Sequence, residues 1–317
     1  MQKVLITNAV PADVLAPLVG LAQVIQGPAG GRLMAREDVL RLAPTLQGII
    51  NQAELIVDEE LLDAAPQLKI VANVAIGVDN LDLELMTRRG VWATNVPDAF
   101  VASTADCTIA LMLSLLRRTH QADNYVRSGQ WSADGFQPGL WDGVLLAGKT
   151  LGVVGYGRIG QAVARRARAF DMPVIFNSRT PSKDSGYRSL DALMAQADVI
   201  TLHTPLTGQT RHLIDAARLA QMKTSAFLIN MSRGAVLHEG ALVDALLDGR
   251  IAGAALDVFE FEPEVHPALL RLPNVCLTPH IGGGTRESRS QARRLCAENI
   301  AAVLRGEVPK TPVNCLN

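Results

Sequence analysis

The chain has 317 residues, of which 48% are hydrophobic and 19% charged, and its formal net charge is −1 at pH 7. This composition is typical of a well-packed enzyme, and the length favours two domains. The near-neutral charge and the lack of basic runs argue against a nucleic-acid partner. No stretch reaches the ~18 uninterrupted apolar residues of a membrane helix, so we expect no membrane partner.

The cysteine spacing and the N-terminus both favour a cytoplasmic protein. The cysteines are scattered without CxxC spacing, as reduced thiols usually are; they are Cys107, Cys276, Cys296 and Cys315. The N-terminal segment MQKVLITNAV predicts a strand and not a signal peptide, because Thr7 and Asn8 interrupt any apolar core.

Residues 1–97 alternate short apolar segments with amphipathic ones. The predicted strands are Val4–Thr7, Val24–Gln26, Gly48–Asn51, Lys69–Ala75 and Val91–Asn95, and the predicted helices include Glu59–Ala65 and Leu83–Arg89. This alternation predicts a small doubly wound α/β domain. At its centre, the loop within Asn73–Asn80 can present backbone N–H groups to a carboxylate, although an ordinary turn is equally compatible with these residues.

The next segment, Phe100–Leu116, has apolar and small residues on every side, which predicts a buried helix. The stretch His120–Leu146 is polar and contains glycine, and it carries the aromatic residues Tyr125, Trp131, Phe136 and Trp141. Such a stretch cannot form its own core. We therefore predict an arm at a subunit interface, the alternative being an arm folded back on its own domain.

A glycine-rich turn lies between a predicted strand containing Leu151–Val154 and a predicted helix. The turn is Gly155-Tyr156-Gly157-Arg158-Ile159-Gly160, and a second strand, Pro173–Phe176, completes a βαβ unit. In this context GxGxxG indicates a dinucleotide site: the glycines permit the tight turn, the approach of a pyrophosphate and close helix packing. The phosphates are expected at the helix N-terminus.

The end of the second strand indicates which dinucleotide binds. An NAD site expects Asp or Glu there, whereas this chain has Asn177-Ser178-Arg179-Thr180. Asp171 precedes the strand and Asp184 lies well beyond it. Two hydroxyl groups and a guanidinium are suited to a 2′-phosphate, which favours NADP(H) over NAD. A solvated surface turn is the alternative.

Further polar residues follow predicted parallel strands, at the sheet edge where open α/β sheets bind ligands. The strands are Val199–His203, Ala226–Asn230, Ala254–Val258 and Val275–Thr278. Helix Gly240–Leu247 is predicted between the second and third of them, and helix Glu287–Leu304 after the last. Asp257 is expected inside its strand. A last strand, Val313–Asn314, is predicted to return to the first domain.

Arg233, Glu262 and His280 stand out among these positions. His280 can give a proton to a carbonyl oxygen, a carboxylate beside it would stabilise the imidazolium, and Arg233 can bind a carboxylate bidentately. From the residues alone, Glu260 and Glu264 compete with Glu262. We expect no metal at Glu262 and His266, because two prolines interrupt the segment and further ligands are lacking.

The chain resembles the D-isomer-specific 2-hydroxyacid dehydrogenase family over almost its full length. The motifs that carry the resemblance are Gly155–Gly160, Asn230–Gly234, Leu256–Phe259 with Glu262-Pro263, and Thr278–Gly282. The resemblance implies two doubly wound parallel-sheet domains with the active site in their cleft. They are a flavodoxin-like substrate-binding domain (1–99 and 286–317) and a Rossmann NADP-binding domain (100–285) with a dimerisation arm (120–146).

The resemblance also assigns roles. Arg233 would orient a 2-oxo acid, Glu262 would support His280 as the acid/base, and Ile76 and Gly77 would give backbone N–H groups to the substrate carboxylate. Asp257 would hold the nicotinamide carboxamide. Further cofactor contacts are expected from Thr104, the glycine-rich turn, Ser178, Arg179, Thr180, His203, Thr204, Pro205, Thr210, Met231, Ser232 and Gly282.

Within the family the chain is most similar to glyoxylate/hydroxypyruvate reductases. Residues 63–79, 178–180 and 306–309 carry this similarity. It implies NADPH-dependent reduction of small 2-oxo acids to D-2-hydroxy acids by a homodimer, in which Trp141 reaches the partner's substrate site. Gly283 replaces the serine usual in that subgroup, which leaves the substrate preference open.

Three alternatives remain on the sequence alone. The first is a reductase of aryl 2-oxo acids such as hydroxyphenylpyruvate, and the second, weaker one is a formate or phosphite dehydrogenase. The third is a dinucleotide-sensing corepressor of the C-terminal-binding-protein type. Such a protein would need a peptide-binding cleft and interaction tails, for which the sequence has no signal.

Overall fold

The computed structural model describes residues 1–316. They form two compact units. Unit 1 consists of residues 1–100 and the chain from Thr285 onward, and unit 2 consists of Val101–Gly284. Each unit has its own parallel sheet, so the predicted fold class of two doubly wound α/β domains is confirmed.

Strands and helices alternate along the chain and are numbered here in chain order. The strands are β1 Gln2–Ile6, β2 Ala22–Gln26, β3 Gly48–Asn51, β4 Ile70–Asn73, β5 Trp92–Thr94, β6 Leu151–Val154, β7 Val174–Asn177, β8 Val199–Leu202, β9 Phe227–Asn230, β10 Gly253–Leu256 and β11 Val275–Leu277. The α-helices are α1 Arg36–Leu42, α2 Glu59–Ala64, α3 Leu83–Arg88, α4 Val101–Leu116, α5 Thr119–Arg127, α6 Gln130–Asp134, α7 Arg158–Arg168, α8 Leu190–Gln196, α9 Ala216–Leu219, α10 Glu239–Leu247 and α11 Arg286–Leu304. Short 3-10 helices lie at Ala12–Leu18, Ala43–Thr45 and Gly234–Val236.

The sheet of unit 1 has the strand order β2-β1-β3-β4-β5, and all its pairs are parallel. Strands β3 and β4 are buried at every residue, as their continuous apolar runs require when helices cover both faces. Helix α11 covers one face, where Cys296 and Ile300 join the core. Thr285 is the N-cap of this helix, and its side chain accepts a hydrogen bond from the backbone N–H of Ser288.

The predicted strand Val313–Asn314 is wrong. The segment forms only an isolated antiparallel bridge, between Thr94 and Pro312. Beyond it, the N–H of Val313 donates to the Ala93 carbonyl at 2.9 Å, but the N–H of Ala93 donates to Asn314 Oδ1. A side-chain amide therefore takes the place of the next ladder bond, and Pro312 has no N–H to extend the ladder.

The sheet of unit 2 has the parallel order β11-β10-β9-β8-β6-β7. Its first strand, β6, lies between β7 and β8, so the chain crosses from one side of β6 to the other. Such a topological switch point opens a crevice at the carboxyl ends of the two strands. Helix α4 is buried along the face that packs with α7 and strands β9, β10 and β11, whereas Ala102, Asp106 and Ala110 are exposed, so the predicted burial holds for one face of the helix only.

The aromatic arm forms helices α5 and α6, neither of which has a buried residue. Trp131 and Phe136 expose 51% and 83% of their surface. Trp141 is half-buried within the arm, because Tyr125 packs on it at 5.2 Å between ring centroids and the Arg118 guanidinium lies 4.9 Å over the ring. Among residues 1–316 no helix combines the length and hydropathy needed to cross a membrane.

Candidate active site

The glycine-rich turn lies at the switch point of unit 2, directly after β6. Gly155 has φ +93°, and a side chain there would lie 2.6 Å from the His203 carbonyl group at the end of β8. A Cβ on Gly160 would lie 2.1 Å from the Gly155 oxygen, so glycine is required for α7 to approach the sheet. The same test at Gly157 finds open space. The first and third glycines thus close the turn, and the second leaves one side of it open.

The remaining residues of the turn differ in what they can offer. The Tyr156 ring stacks on Phe176 at 3.8 Å, so this side chain packs on the end of β7. Ile159 is partly buried against the core. Arg158 is exposed in the first turn of α7, where the N-terminal N–H groups favour an anion.

Two buried polar atoms beside this turn lack hydrogen-bond partners: Nδ1 of His203 and Oγ1 of Thr204. The other ring nitrogen, His203 Nε2, lies 2.9 Å from Thr201 Oγ1. Burial lowers the pKa of His203 to about 3, which keeps the imidazole neutral. Unpaired buried polar atoms are costly unless a ligand or water satisfies them. The crevice, the turn and these atoms therefore fit a nicotinamide dinucleotide.

The end of β7 carries Ser178, Arg179 and Thr180, and both Arg179 and Thr180 are exposed. Ser178 Oγ donates to the Thr180 carbonyl at 2.7 Å, which shapes this turn. Asp184 does not occupy the strand end, since its carboxylate accepts the N–H of Gly186 at 2.7 Å. Asp171 precedes β7. The acidic residue expected for an NAD ribose is thus missing from this position.

Three predicted cofactor residues lie around Gly282, which is itself a fourth. A Cβ built on Gly282 would lie 2.9 Å from Met231, 3.0 Å from Asp257 and 3.6 Å from Thr104. Ser232 is buried beside them, and its hydroxyl bonds to Asn230. Pro205 and Thr210 lie together in the loop after β8, joined by a 2.6 Å hydrogen bond.

Asp257 lies just after β10 and not inside the strand as predicted. Its side chain is buried and accepts three hydrogen bonds, from Thr278 Oγ1 at 2.6 Å and from the N–H groups of Ile281 and Gly282 at 2.7 Å. These bonds hold the turn that presents His280, whose φ of +52° is uncommon for a residue with a side chain. The contact of Asp257 with a carboxamide stays a prediction.

Glu262 and His280 form a hydrogen-bonded pair, with 2.9 Å between Glu262 Oε2 and His280 Nδ1. Glu262 Oε1 accepts the N–H of Phe259 at 3.0 Å. Burial raises the pKa of the Glu262 carboxyl, but the hydrogen bond and charge of His280, the Phe259 N–H and the Arg233 charge together hold it below its usual value. Glu262 is therefore an anion at neutral pH, oriented toward the imidazole.

The segment with Arg233 packs on the segment that leads to Glu262. A Cβ on Gly234 would lie 1.8 Å from the Phe259 carbonyl group and 2.4 Å from the Glu260 nitrogen. Only glycine allows this approach. Arg233 donates through Nη1 to the Ser232 carbonyl at 2.9 Å. The structure thus brings all three predicted catalytic residues to one edge of the unit 2 sheet.

The predicted substrate loop in unit 1 follows β4. The carbonyl of Ala75 accepts the N–H of Val96 at 3.0 Å, and the carbonyl of Ile76 accepts Asn95 Nδ2 at 2.8 Å. In a trans peptide the next N–H points to the opposite side. The N–H of Ile76 therefore points away from Val96, and the N–H of Gly77 points away from the Asn95 side chain.

Sequence reasoning missed Asn73 and Asn95, which hold this loop. Asn73 is fully buried and donates to the Gly77 carbonyl at 3.0 Å, and it also pairs with Asn80. An asparagine at the end of an apolar strand was the available signal. The structure also separates the competing glutamates, because Glu260 pairs with His212 at 2.5 Å and not with His280. Among residues 1–316 no group of three or more His, Cys, Asp or Glu side chains is placed to hold a metal ion.

This combination of a dinucleotide crevice and an Arg–Glu–His edge defines the class, and the comparisons agree with it. Residues 109–282 match the family model "D-isomer specific 2-hydroxyacid dehydrogenase, NAD binding domain". The chain belongs to this family. It is an enzyme of the 2-hydroxyacid dehydrogenase type, it acts on 2-oxo acids, and its cofactor is a nicotinamide dinucleotide.

Particular relatives are glyoxylate reductases. The chain is 42% identical over 320 residues to the glyoxylate reductase of Pyrococcus furiosus, covering 98% of this chain and 95% of that protein. It is 47% identical to that of Thermococcus litoralis over 266 residues, which cover 81% and 80% of the two chains. The predicted resemblance to glyoxylate/hydroxypyruvate reductases is confirmed.

A crystal structure of an NADPH-dependent glyoxylate/hydroxypyruvate reductase from Sinorhizobium meliloti, in complex with NADP and malonate, matches with a TM-score of 0.85. It is 34% identical and covers 98% of this chain and 96% of that one. A protein from Thermus thermophilus matches with a TM-score of 0.93 at 40% identity, covering 98% and 100% of the chains.

Proposed function

We propose that the protein reduces small 2-oxo acids, glyoxylate and hydroxypyruvate, to D-2-hydroxy acids with NADPH. The observation that carries the proposal is the Glu262–His280 pair, joined at 2.9 Å on the sheet that also holds the dinucleotide crevice. When bound, the nicotinamide supplies the hydride. The protein must then supply a proton and orient the substrate.

His280 is the proposed proton donor. Its Nδ1 is occupied by Glu262, and its side chain is 49% exposed, which leaves Nε2 accessible. In the imidazolium form, Nδ1 donates to the carboxylate and Nε2 can give its proton to the carbonyl oxygen as the alcohol forms. The Glu262 carboxylate stabilises this charged form and fixes the ring.

Arg233 is proposed to bind the substrate's carboxylate and to polarise the neighbouring carbonyl. A guanidinium presents a fork of donors that matches a carboxylate. The N–H groups of Ile76 and Gly77 are proposed to donate to a substrate carboxylate. Because both are backbone groups held by asparagines, they cost no side-chain ordering when substrate binds.

The preference for NADP over NAD is supported by the β7 end. An exposed Arg179 and two hydroxyl groups stand where an acidic residue would repel a 2′-phosphate. The name of the Sinorhizobium meliloti reductase states the same preference for that protein. A cytoplasmic location remains part of the proposal, on the sequence argument from the cysteines.

A substrate and cofactor panel tests the function. Purified protein is assayed at 340 nm with glyoxylate, hydroxypyruvate, hydroxyphenylpyruvate and phenylpyruvate, each with NADPH and with NADH. We expect the highest kcat/KM for glyoxylate or hydroxypyruvate with NADPH, and the D enantiomer as product. Preference for the aryl substrates would replace the substrate assignment, and turnover of none would reject the enzymatic proposal.

The arm supports a homodimer in which Trp141 reaches the substrate site of the partner. We expect Trp141→Ala to raise the KM for hydroxypyruvate several-fold and to leave the KM for NADPH unchanged, because a lost substrate contact acts on substrate binding. Trp131→Ala, in the same arm, is the matched control. Sedimentation checks the premise: a monomeric wild-type protein contradicts the cross-subunit role.

A further inference from the structure

Two buried glutamates that the proposed mechanism does not use hold each other's backbone. Glu239 Oε2 accepts the N–H of Glu260 at 3.0 Å, and Glu260 Oε2 accepts the N–H of Glu239 at 3.1 Å. Glu239 and the Glu260 side chain are each 6% exposed. We call this pair the glutamate clasp. Hydrogen bonds to ionised groups are the strong ones, and their loss inside a protein is costly.

The clasp holds the Glu262 loop on both sides. The second oxygen of Glu239, Oε1, accepts the N–H of His266 at 3.1 Å. One carboxylate therefore binds the chain at residue 260 and again at residue 266, and Glu262 lies between. Within this loop the N–H of Glu264 donates to the Phe261 carbonyl at 2.9 Å, which makes a tight turn. The clasp and this turn fix the backbone of Glu262.

Basic side chains lie around the Glu260 end of the clasp. His212 Nε2 lies 2.5 Å and Arg211 Nη2 3.6 Å from Glu260 Oε1. Burial raises the pKa of Glu260, but the hydrogen bond of His212, the Glu239 N–H and the charges of His212 and His238 bring it below its usual value. The His212 and His238 rings are 4.6 Å apart. Glu260 thus stays ionised at neutral pH.

The clasp also reaches the Arg233 segment. Glu239 begins α10, and the 3-10 helix Gly234–Val236 connects Arg233 to it. At the other end, the Glu260 nitrogen lies 2.4 Å from the position of a Cβ on Gly234. The same two glutamates therefore join the segment that carries Arg233 to the loop that carries Glu262.

We propose that Glu239 and Glu260 are positioning residues that hold Glu262 against His280. The inference rests on the proposed function, because it takes Glu262 and His280 to be the supporting carboxylate and the proton donor. Glu239 acts through Glu262: without the clasp the loop shifts, and the imidazolium of His280 loses its partner. A misplacement of about 1 Å can reduce a rate about 10²-fold.

The test is a double-mutant cycle on kcat and on its pH profile. Glu239→Gln keeps the shape of the side chain but replaces one acceptor oxygen with a donor NH₂. We expect kcat for glyoxylate to fall about 10- to 100-fold, with the alkaline decline of activity moved to lower pH and the KM for NADPH unchanged. In a Glu262→Gln background, Glu239→Gln should change kcat less than about two-fold, because residues that act through one another are not additive.

Asp198→Asn is the matched control. Asp198 is also a carboxylate that accepts a backbone N–H, from Thr150 at 2.8 Å, and it pairs with Lys223 away from the site. The substitution should lower the melting temperature and leave the pH profile unchanged. Glu260→Gln repeats the test if Glu239→Gln does not fold.

Different results would overturn the positioning role of Glu239 and Glu260 and the proposed function of the protein. Additive losses in the cycle, or a lower melting temperature with a wild-type pH profile, overturn the positioning role. A His280→Ala enzyme with wild-type kcat instead overturns the proposed function. If His280→Ala is inactive and Glu262→Gln shifts the profile while Glu239→Gln does not, only the inference fails.

Discussion

The two sheets have the same switch point but fill it differently. In unit 1, β1 lies between β2 and β3; in unit 2, β6 lies between β7 and β8. The first residue after the central strand is Thr7 in unit 1 and Gly155 in unit 2. The first residue after the neighbouring strand is Gln52 in unit 1 and His203 in unit 2. At equivalent positions, the N–H of Gln52 donates to the Thr7 hydroxyl at 3.4 Å, whereas Gly155 leaves no side chain in the crevice.

The comparison shows that topology alone makes a crevice but does not make it a binding site. Unit 1 occupies the position with a threonine side chain, and the loop predicted to bind the substrate lies elsewhere, after β4. Unit 2 keeps the position empty with glycine and leaves polar atoms of His203 and Thr204 unpaired. The predictions below test this difference, from the largest expected effect to the smallest.

The largest expected effect distinguishes cofactor binding in the crevice of unit 2 from proton donation by the proposed catalytic residues of the same sheet. We expect His280→Ala to lower kcat about 10²- to 10⁴-fold, the range for loss of a general acid. Cofactor affinity, measured by NADPH fluorescence titration, should stay within about two-fold, because His280 lies outside the glycine-rich turn Gly155–Gly160. Near wild-type turnover contradicts the assignment of the proton donor.

The second effect concerns the far side of the crevice, at the end of β7. Arg179→Ala should raise the NADPH KM about 10- to 150-fold and leave the NADH KM nearly unchanged, since a charged hydrogen-bonded pair contributes about 1.5–3 kcal/mol. Adding Ser178→Asp should reverse the preference, because a carboxylate repels a 2′-phosphate and accepts from a ribose hydroxyl.

Steady-state kinetics with both cofactors decide the role of Arg179. Thr180→Ala is the control, since it removes a hydroxyl beside Arg179 without changing charge. A wild-type enzyme that uses NADH as efficiently as NADPH would make Arg179 a surface residue.

The third effect compares the two crevices directly. Gly155→Ala should lower the free energy of unfolding by at least about 1–3 kcal/mol, because the backbone at φ +93° disfavours a side chain and the Cβ meets the His203 backbone. Thr7→Val, at the equivalent position of unit 1, removes one long hydrogen bond and should cost about 1 kcal/mol or less. Denaturant unfolding of the two variants measures both. Equal losses would show that the glycine is not specifically required.

The smallest effect is a difference in acid sensitivity. His203 has a folded-state pKa of about 3, below the ordinary 6.5. The unfolded chain therefore binds a proton first, so this contribution to stability is complete above pH ~6.5 and declines as the pH falls toward ~3. Gln52 in unit 1 does not titrate.

Melting temperatures between pH 7 and pH 4 check the acid sensitivity. Wild-type protein should lose stability across this range, and His203→Gln should flatten the curve. An unchanged slope in His203→Gln would show that His203 binds protons equally in the folded and unfolded protein.

The sequence predicted the local features of this protein well, because they depend on short-range order. Alternating apolar runs predicted every strand from β1 to β11, and GxGxxG marked the turn after β6. The wrong strand at Val313–Asn314 shows the limit. Whether a short apolar segment forms a strand depends on the N–H groups that the neighbouring strand has free. Here the N–H of Ala93 in β5 donates to the Asn314 side chain and is not available to the backbone.

The sequence by itself determined the class of fold, the glycine-rich turn, the absence of an acid at the β7 end, and Arg233, Glu262 and His280 as the leading candidates. Only the tertiary structure decided which glutamate pairs with His280, that Asp257 holds the His280 turn, and that Glu239 binds both sides of the Glu262 loop. The physical reason is the distance along the chain over which each interaction acts. Hydrophobic periodicity and turn chemistry act between neighbours in the chain, whereas a buried carboxylate bonds to whatever N–H groups the packed backbone brings to it, here at residues 260 and 266.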